Sequence, residues 1–483
     1  MKLLTFFSIL IFSGFLFSPK CFAQGTSISR FDELSRFSMA KQKDSIKKAW
    51  VCPSRYKDKE KQKKYAEIWN SRTDFLLNAI QANHFIYNKP LVEYVDGIIQ
   101  QIKKSNPDII QSPLLLLIDR SESVNAYSLG NNVIAVNLGL ICYAQNREEL
   151  ALVIAHELAH NILGHSEMAM KLKAELLTSD DFKESLNDVL NSKYGRLTRL
   201  KEILKGYSFS RSKHSRYKES EADSLAVVML KKSMINFDAN NFLRLDSSDN
   251  EYRSPLLHEA KSYFTSFNFP VEDQWFIKKS KGLSTRSYNF SKGEDLTDSL
   301  KTHPDCVERF NLTKGQSTIG ASFTPLPVSL KETAEKMIVW NLYDNMNLTP
   351  ALYRILLLRD KGATDPWFDI MTYNIFAGLY YADKQLSRFN SIGVIPKEYI
   401  SKDYFAVQTM LEQIPSDNLS SAIKSMSNQS FWSGASTDSK GFKAFLNSLI
   451  FSETISKKEQ ERYSKEFIHN YPTSMYAEVA DKF

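Results

Sequence analysis

The segment His156-Glu157-Leu158-Ala159-His160 carries the strongest chemical signal in this 483-residue chain. On a helix, two histidines four residues apart project from one face, one turn from each other. Two neutral imidazole nitrogens so placed can bind a single Zn2+ at about 2.0–2.1 Å each. Glu157 lies beside them in sequence, where it can take a proton from water at the ion and pass it to a leaving amine. That combination hydrolyses amides, with zinc polarising the scissile carbonyl. The chain has only eight histidines, so chance assembly of the pattern is rare. The plainer alternative is a buried helix whose histidines only satisfy hydrogen bonds.

The third ligand decides the subclass. A histidine six residues after His160 would complete one ligand set, but that position is Ser166. His165 falls one residue short and reads as structural. Glu219-Ser220-Glu221-Ala222-Asp223 supplies a carboxylate instead. Glu219 and Asp223 share a helical face, and Glu221 points away from it. One carboxylate can bind the ion, and the other can orient a ligand histidine through its free N–H. Glu219 follows His160 by 59 residues, a gap that disfavours a thermolysin-like subclass. A further piece is Thr302-His303-Pro304, with Arg309 six residues beyond His303. The proline holds His303 extended.

Taken in order, H-E-L-A-H, E-x-E-A-D and T-H-P-x-x-x-x-R resemble the HtpX/BepA/Oma-type zinc metallopeptidases, the wider family of the CAAX prenyl protease. Asn125-Ala126-Tyr127 followed by Asn137-Leu138-Gly139-Leu140 is similar to that family's pre-catalytic segment. The resemblance covers roughly residues 65–315. It implies His156, His160 and Glu219 as ligands of one Zn2+, Glu157 as the general base, and Asp223 behind a ligand histidine. His303 matches a loop histidine that in some relatives sits near or on the metal, and Arg309 matches an arginine of the same loop. Either one is a candidate partner for the tetrahedral oxyanion. Many relatives carry transmembrane helices here, whereas residues 166–215 of this chain are far too charged for that. Cys306 beside the loop histidine is unmatched and reads as a bystander.

The elements that must position these residues follow from periodicity. Ile68, Phe75, Leu76 and Ile80 suggest one helical face, and Leu91, Val95, Ile98, Ile99 and Ile102 a second. Pro113–Asp119 and Val133–Asn137 read as strands, the latter after the turn Gly130-Asn131-Asn132. Asn146 caps the H-E-x-x-H helix, with Glu149 at its third position. Residues 217–232 read as a helix with Leu225, Val228 and Met229 on its apolar face. Beyond Gly- and Pro-containing residues 316–329, helices recur behind starts such as Asp365-Pro366, without a clean 34-residue period.

The predicted fold is therefore α+β and predominantly α, a zincin-type catalytic domain with a small β-sheet and then a helical, repeat-like domain. The boundaries read as a signal peptide over 1–23, a polar lead-in over 24–64, and a catalytic domain over 65–315. A linker over 316–329 and a helical domain over 330–483 follow. Lys2, the apolar run Leu3–Phe17 and Cys21-Phe22-Ala23 form the three parts of the signal peptide. After it no segment reaches 18 consecutive apolar residues, so no integral span is expected in the mature chain.

Composition narrows the class further. With 43% hydrophobic and 24% charged residues the chain reads as globular, neither disordered nor a multi-span membrane protein. Four cysteines are too few for a disulfide scaffold, and Cys52, Cys142 and Cys306 allow at most one pair in the mature chain. A net charge of +7 with both signs interspersed gives no case for nucleic acid. The resulting expectation is an exported, periplasmic or secreted zinc metalloendopeptidase with polypeptide substrates, acting on unfolded or misassembled envelope proteins. Substrate is expected to pair along a strand edge near Val133–Asn137. Protein partners are expected at the C-terminal helices. The alternative is a helical-repeat binding or chaperone-like protein with a latent or structural zinc site.

Overall fold

The computed structural model describes residues 43–482 apart from 193, 197, 199–216, 279–305 and 453–455. The expected signal peptide and His303 lie outside the described residues.

Among the described residues two helices come first, α1 (43–49) and α2 (Lys59–Gln81). Asp58 caps α2 by accepting from the Lys61 N–H, so the helix starts six residues ahead of Tyr65. A short strand β1 (Phe85–Ile86) precedes α3 (Lys89–Ser105), which Asn88 caps. Strands β2 (Leu115–Asp119), β3 (Ala126–Gly130) and β4 (Val133–Asn137) complete a mixed sheet in the order β1-β2-β4-β3. β2 and β4 run parallel, and β3 pairs antiparallel with β4. Asn131 and Asn132 form the two-residue hairpin loop, both at positive φ (49° and 60°). That backbone suits the right-handed strand twist, and asparagine tolerates it better than most residues.

All five residues of β4 are buried because its neighbours cover both edges and helices cover both faces. Ile134 and Val136 face the main core, while Val133 and Ala135 face a second cluster with Ile46, Trp50, Leu76 and Ile80 from α1 and α2. This corrects the expected substrate edge. Val133–Asn137 is an interior strand with no free edge, and beside it β3 is the outermost strand among the described residues. Residues 43–50, assigned to a polar lead-in, likewise contribute buried side chains at Ile46 and Trp50.

The helices around the site are α4 (Leu138–Tyr143), α5 (Arg147–Ile162), α6 (His165–Thr178), α7 (Asp180–Asn191), α8 (217–232), α9 (Asn240–Asp246) and α10 (Cys306–Thr313). Gly139 opens α4 where a Cβ would sit 1.9 Å from the Glu122 carbonyl oxygen, so only glycine lets the backbones meet. α5 is buried without interruption from Glu148 to Ala159, as befits a helix with packing on all sides. Burying Leu150, Ile154 and Leu158 contributes about 1.5–3 kcal/mol each. Its buried acidic start is fully satisfied. Asn146 Oδ1 accepts from the Glu149 N–H at 2.8 Å, Glu149 pairs with Arg244, and Glu148 accepts from the Thr324 N–H at 2.8 Å.

Residues 316–329, read as a linker, are strapped onto this frame. The Thr318 N–H donates to the Phe237 carbonyl at 2.8 Å, and the Arg147 N–H donates to the Thr324 carbonyl at 2.8 Å. The chain then forms α11 (Val328–Asp344), α12 (Leu348–Asp360), α13 (Trp367–Lys384) and further helices to residue 480. Asp365 Oδ1 accepts from the Trp367 N–H, which sets the expected start of α13. One apolar core passes without a break from α3, β2 and α5 into these helices. The fold is thus mostly helical with one small sheet, as the patterns implied. Two residues assigned to apolar faces are in fact exposed, Phe75 at 57% and Val228 at 46%. No helix among the described residues is long and apolar enough to cross a membrane.

Candidate metal centre

α5 presents His156 and His160 one turn apart, with their Nε2 atoms 3.0 Å from each other. α8 brings Glu219 across from the far side. Its Oε2 lies 3.2 Å from His156 Nε2 and its Oε1 3.6 Å from His160 Nε2. Four-coordinate zinc with bonds of about 2.0–2.1 Å separates neighbouring ligand atoms by roughly 3.3 Å. Two imidazole nitrogens and a carboxylate at 3.0–3.6 Å therefore fit one such ion. His156 is buried, while His160 and Glu219 are half-buried, so the cluster opens to solvent on their side. Three protein ligands among the described residues, with partly exposed His160 and Glu219, match a catalytic site better than a closed structural one.

The nitrogens turned away from the cluster are also engaged. His156 Nδ1 lies 2.8 Å from Asp223 Oδ1. Arg309, on α10, grips the same carboxylate through Nε to Oδ2 at 2.8 Å and Nη2 to Oδ1 at 2.6 Å. Its guanidinium also lies over the Phe242 ring, 4.4 Å from the centroid. The oxyanion role expected for Arg309 does not fit this placement. Its Nε and Nη2 are committed to Asp223 on the Nδ1 side of His156, not on the Nε2 side where the cluster lies, while its buried Nη1 has no hydrogen-bond partner among the described residues.

Electrostatics follow from burial and pairing. Burial and Arg309 push His156 toward its neutral form, yet Asp223 and Glu219 outweigh them and raise its pKa to about 9. Burial would raise the Asp223 carboxyl, but hydrogen bonds from Arg309 and His156 hold it below its ordinary value. Burial pushes Glu157 upward against the pull of His156 and His160, which strengthens it as a base. Burial also lifts the Cys306 thiol to about 11, so it carries little thiolate at neutral pH. Cys52, Cys142 and Cys306 form no disulfide with one another.

His165, which reads as structural, and Glu221 both lie beside the cluster. His165 Nδ1 lies 2.8 Å from His160 Nδ1, and Glu221 Oε2 lies 3.5 Å from His165 Nε2. Glu221 does point away from Glu219, as two residues on a helix must. It points instead to a histidine that the left-handed Gly164 (φ 67°) turns back over His160. A glycine-histidine step directly after the H-E-x-x-H helix was the available signal.

Residues 91–316 match peptidase family M48. This segment is an M48 peptidase domain. It contains His156, Glu157, His160, Glu219, Asp223 and Arg309, and its described part holds strands β2, β3 and β4 and the candidate metal cluster. The chain is similar to the beta-barrel assembly-enhancing protease of Yersinia pestis, 24% identical over 38% of each chain. A similarly named protein of Vibrio cholerae is 26% identical over 35% of this chain and 34% of its own. Metalloprotease YcaL of Escherichia coli K12 is 33% identical over 30% of this chain and 55% of its own. The chain thus spans about a third to a half of the length of these relatives.

Proposed function

We propose that this chain is an exported zinc-dependent metalloendopeptidase that hydrolyses peptide bonds in unfolded or misassembled envelope proteins. The observation that carries the reading is the convergence of His156, His160 and Glu219 beside the buried Glu157. Zinc bound by those three residues would supply Lewis acidity for the scissile carbonyl and for water. Glu157 would take the proton released by water and deliver it to the leaving amine. Asp223, itself held by Arg309, would keep the His156 proton on Nδ1 and leave Nε2 free as a ligand. His303 stays a candidate for stabilising the oxyanion, and the C-terminal helices stay candidates for recruiting partners.

Substrate would pair with the edge of β3 that no other strand among the described residues covers. The β3–β4 hairpin is tied to α5, where Asn161 Oδ1 accepts from the Asn132 N–H at 3.0 Å, one residue after His160. The Leu129 and Ser128 carbonyls already accept from Arg72 Nη1 at 3.0 Å and Ser166 Oγ at 3.3 Å, and the Ala126 N–H donates to Asn125 Oδ1 at 2.9 Å, so pairing would use the Ala126 carbonyl and the Ser128 N–H. Backbone pairing gives little sequence preference, which suits unfolded chains. The envelope as site of action draws on the signal-peptide pattern and on the two relatives named for beta-barrel assembly. The test is digestion of casein by the purified mature chain, before and after chelation. Cleavage that a chelator abolishes and zinc restores supports the reading, and cleavage indifferent to chelation contradicts it.

A further inference from the structure

We propose that His165 and Glu221 are positioning residues for His160, fixing its tautomer and ring plane so that Nε2 is offered to the metal. The inference rests on the metal-site reading above and extends it to two residues that play no part in that reading. For His160 to ligate through Nε2, its proton must sit on Nδ1. That nitrogen is 2.8 Å from His165 Nδ1, and two nitrogens at this distance share one hydrogen. His165 Nδ1 must then accept, which puts the His165 proton on Nε2. Nε2 faces Glu221 Oε2 at 3.5 Å, an atom that can only accept while the carboxylate is ionised. The hydrogens are therefore ordered in one direction, from His160 to His165 to Glu221.

The arrangement completes a symmetry in the site. Asp223 and Arg309 orient His156, and His165 and Glu221 orient His160. The arms differ in exposure, because the Glu221 side chain is 39% exposed whereas that of Asp223 is 4% exposed. His165 is itself buried as the first residue of α6, and its ring meets that of His160 edge-on at 4.9 Å. An apolar ring could fill that space but could not accept the His160 proton.

The test compares the full wild-type chain with His165→Phe, His165→Asn and Glu221→Ala. Zinc affinity is measured by chelator competition, the ligand field by the visible spectrum of the Co2+-loaded forms, and stability by unfolding of the metal-free forms. His165→Phe is expected to weaken zinc binding about 10–100-fold and to shift the Co2+ spectrum. His165→Asn, whose amide oxygen can accept near the Nδ1 position, is expected to restore most of both. Glu221→Ala is expected to lose less, in the same direction. Unchanged affinity and spectrum in His165→Phe, or His165→Asn no better than His165→Phe, overturns the proposal. So does a loss of affinity wholly accounted for by metal-free unfolding. Zinc bound by the wild type with unchanged variants contradicts this inference alone, and a wild type that binds no zinc contradicts the metal-site reading as well.

Discussion

Arg309 and Asp223 form a two-bonded ion pair directly behind His156, at 2.8 and 2.6 Å, with both side chains buried. The pair joins α10 to α8 through two residues 86 apart in sequence, at the point where α8 also delivers Glu219. Arg309 thus acts at the metal cluster from behind His156, by holding Asp223 and by its own charge 3.3 Å from His156 Nδ1.

Removing one partner of this pair strands a buried charge. Arg309→Met is expected to destabilise the metal-free chain by about 3–5 kcal/mol in denaturant unfolding. The double variant Arg309→Met with Asp223→Asn is expected to lose less than the sum of the singles. Additive losses would show that the two side chains do not act as a unit.

Proton and metal compete for His156. In the metal-free chain its pKa stands near 9, because Asp223 and Glu219 outweigh burial and Arg309. The ordinary histidine value is about 6.5, so this pairing stabilises the metal-free fold fully below that pH. The contribution fades as pH rises through about 9. Zinc affinity is expected to run the other way, rising from pH 7 to 9 with measurable proton release in calorimetry. Affinity independent of pH over that range would contradict the protonated metal-free state.

Glu157 has one chemical task in this account. Glu157→Gln is expected to keep its zinc and to lose about 100- to 10,000-fold in casein cleavage rate. Full cleavage by Glu157→Gln, measured on a preparation free of contaminating protease, would remove the general-base assignment.

The β3 edge carries a separable prediction. The Asn137 N–H donates to the Asn125 carbonyl, so the alternate residue Ser128 turns its N–H and C=O outward, away from β4. Ser128→Pro removes that outward N–H without cutting the β3–β4 ladder. Casein cleavage should fall mainly through a raised KM, with zinc content unchanged. An unchanged KM would move the substrate elsewhere.

Much of this architecture could be read from residue order alone. The α5 helix with its Asn146 cap, the apolar runs of β2 and β4, and the start of α13 at Asp365-Pro366 are local patterns that the chain obeys locally. β3 escaped because Ala-Tyr-Ser-Leu-Gly has no apolar run, being an edge strand with three half-buried residues. Phe75 and Val228 were misplaced because periodicity shows which residues share a face, not which face another element covers. His165 and Glu221 escaped for a third reason. Their meeting depends on the left-handed Gly164 turn and on the approach of α8, and neither is encoded in the spacing of the two residues.

The claim beneath all of these is that His156, His160 and Glu219 hold one metal ion between them. Elemental analysis of the purified chain, alongside His160→Ala and Glu219→Ala, tests it most directly. The account predicts about one zinc per wild-type chain and strongly reduced zinc in both variants. A wild type without bound transition metal, or variants that retain the full complement, would contradict it.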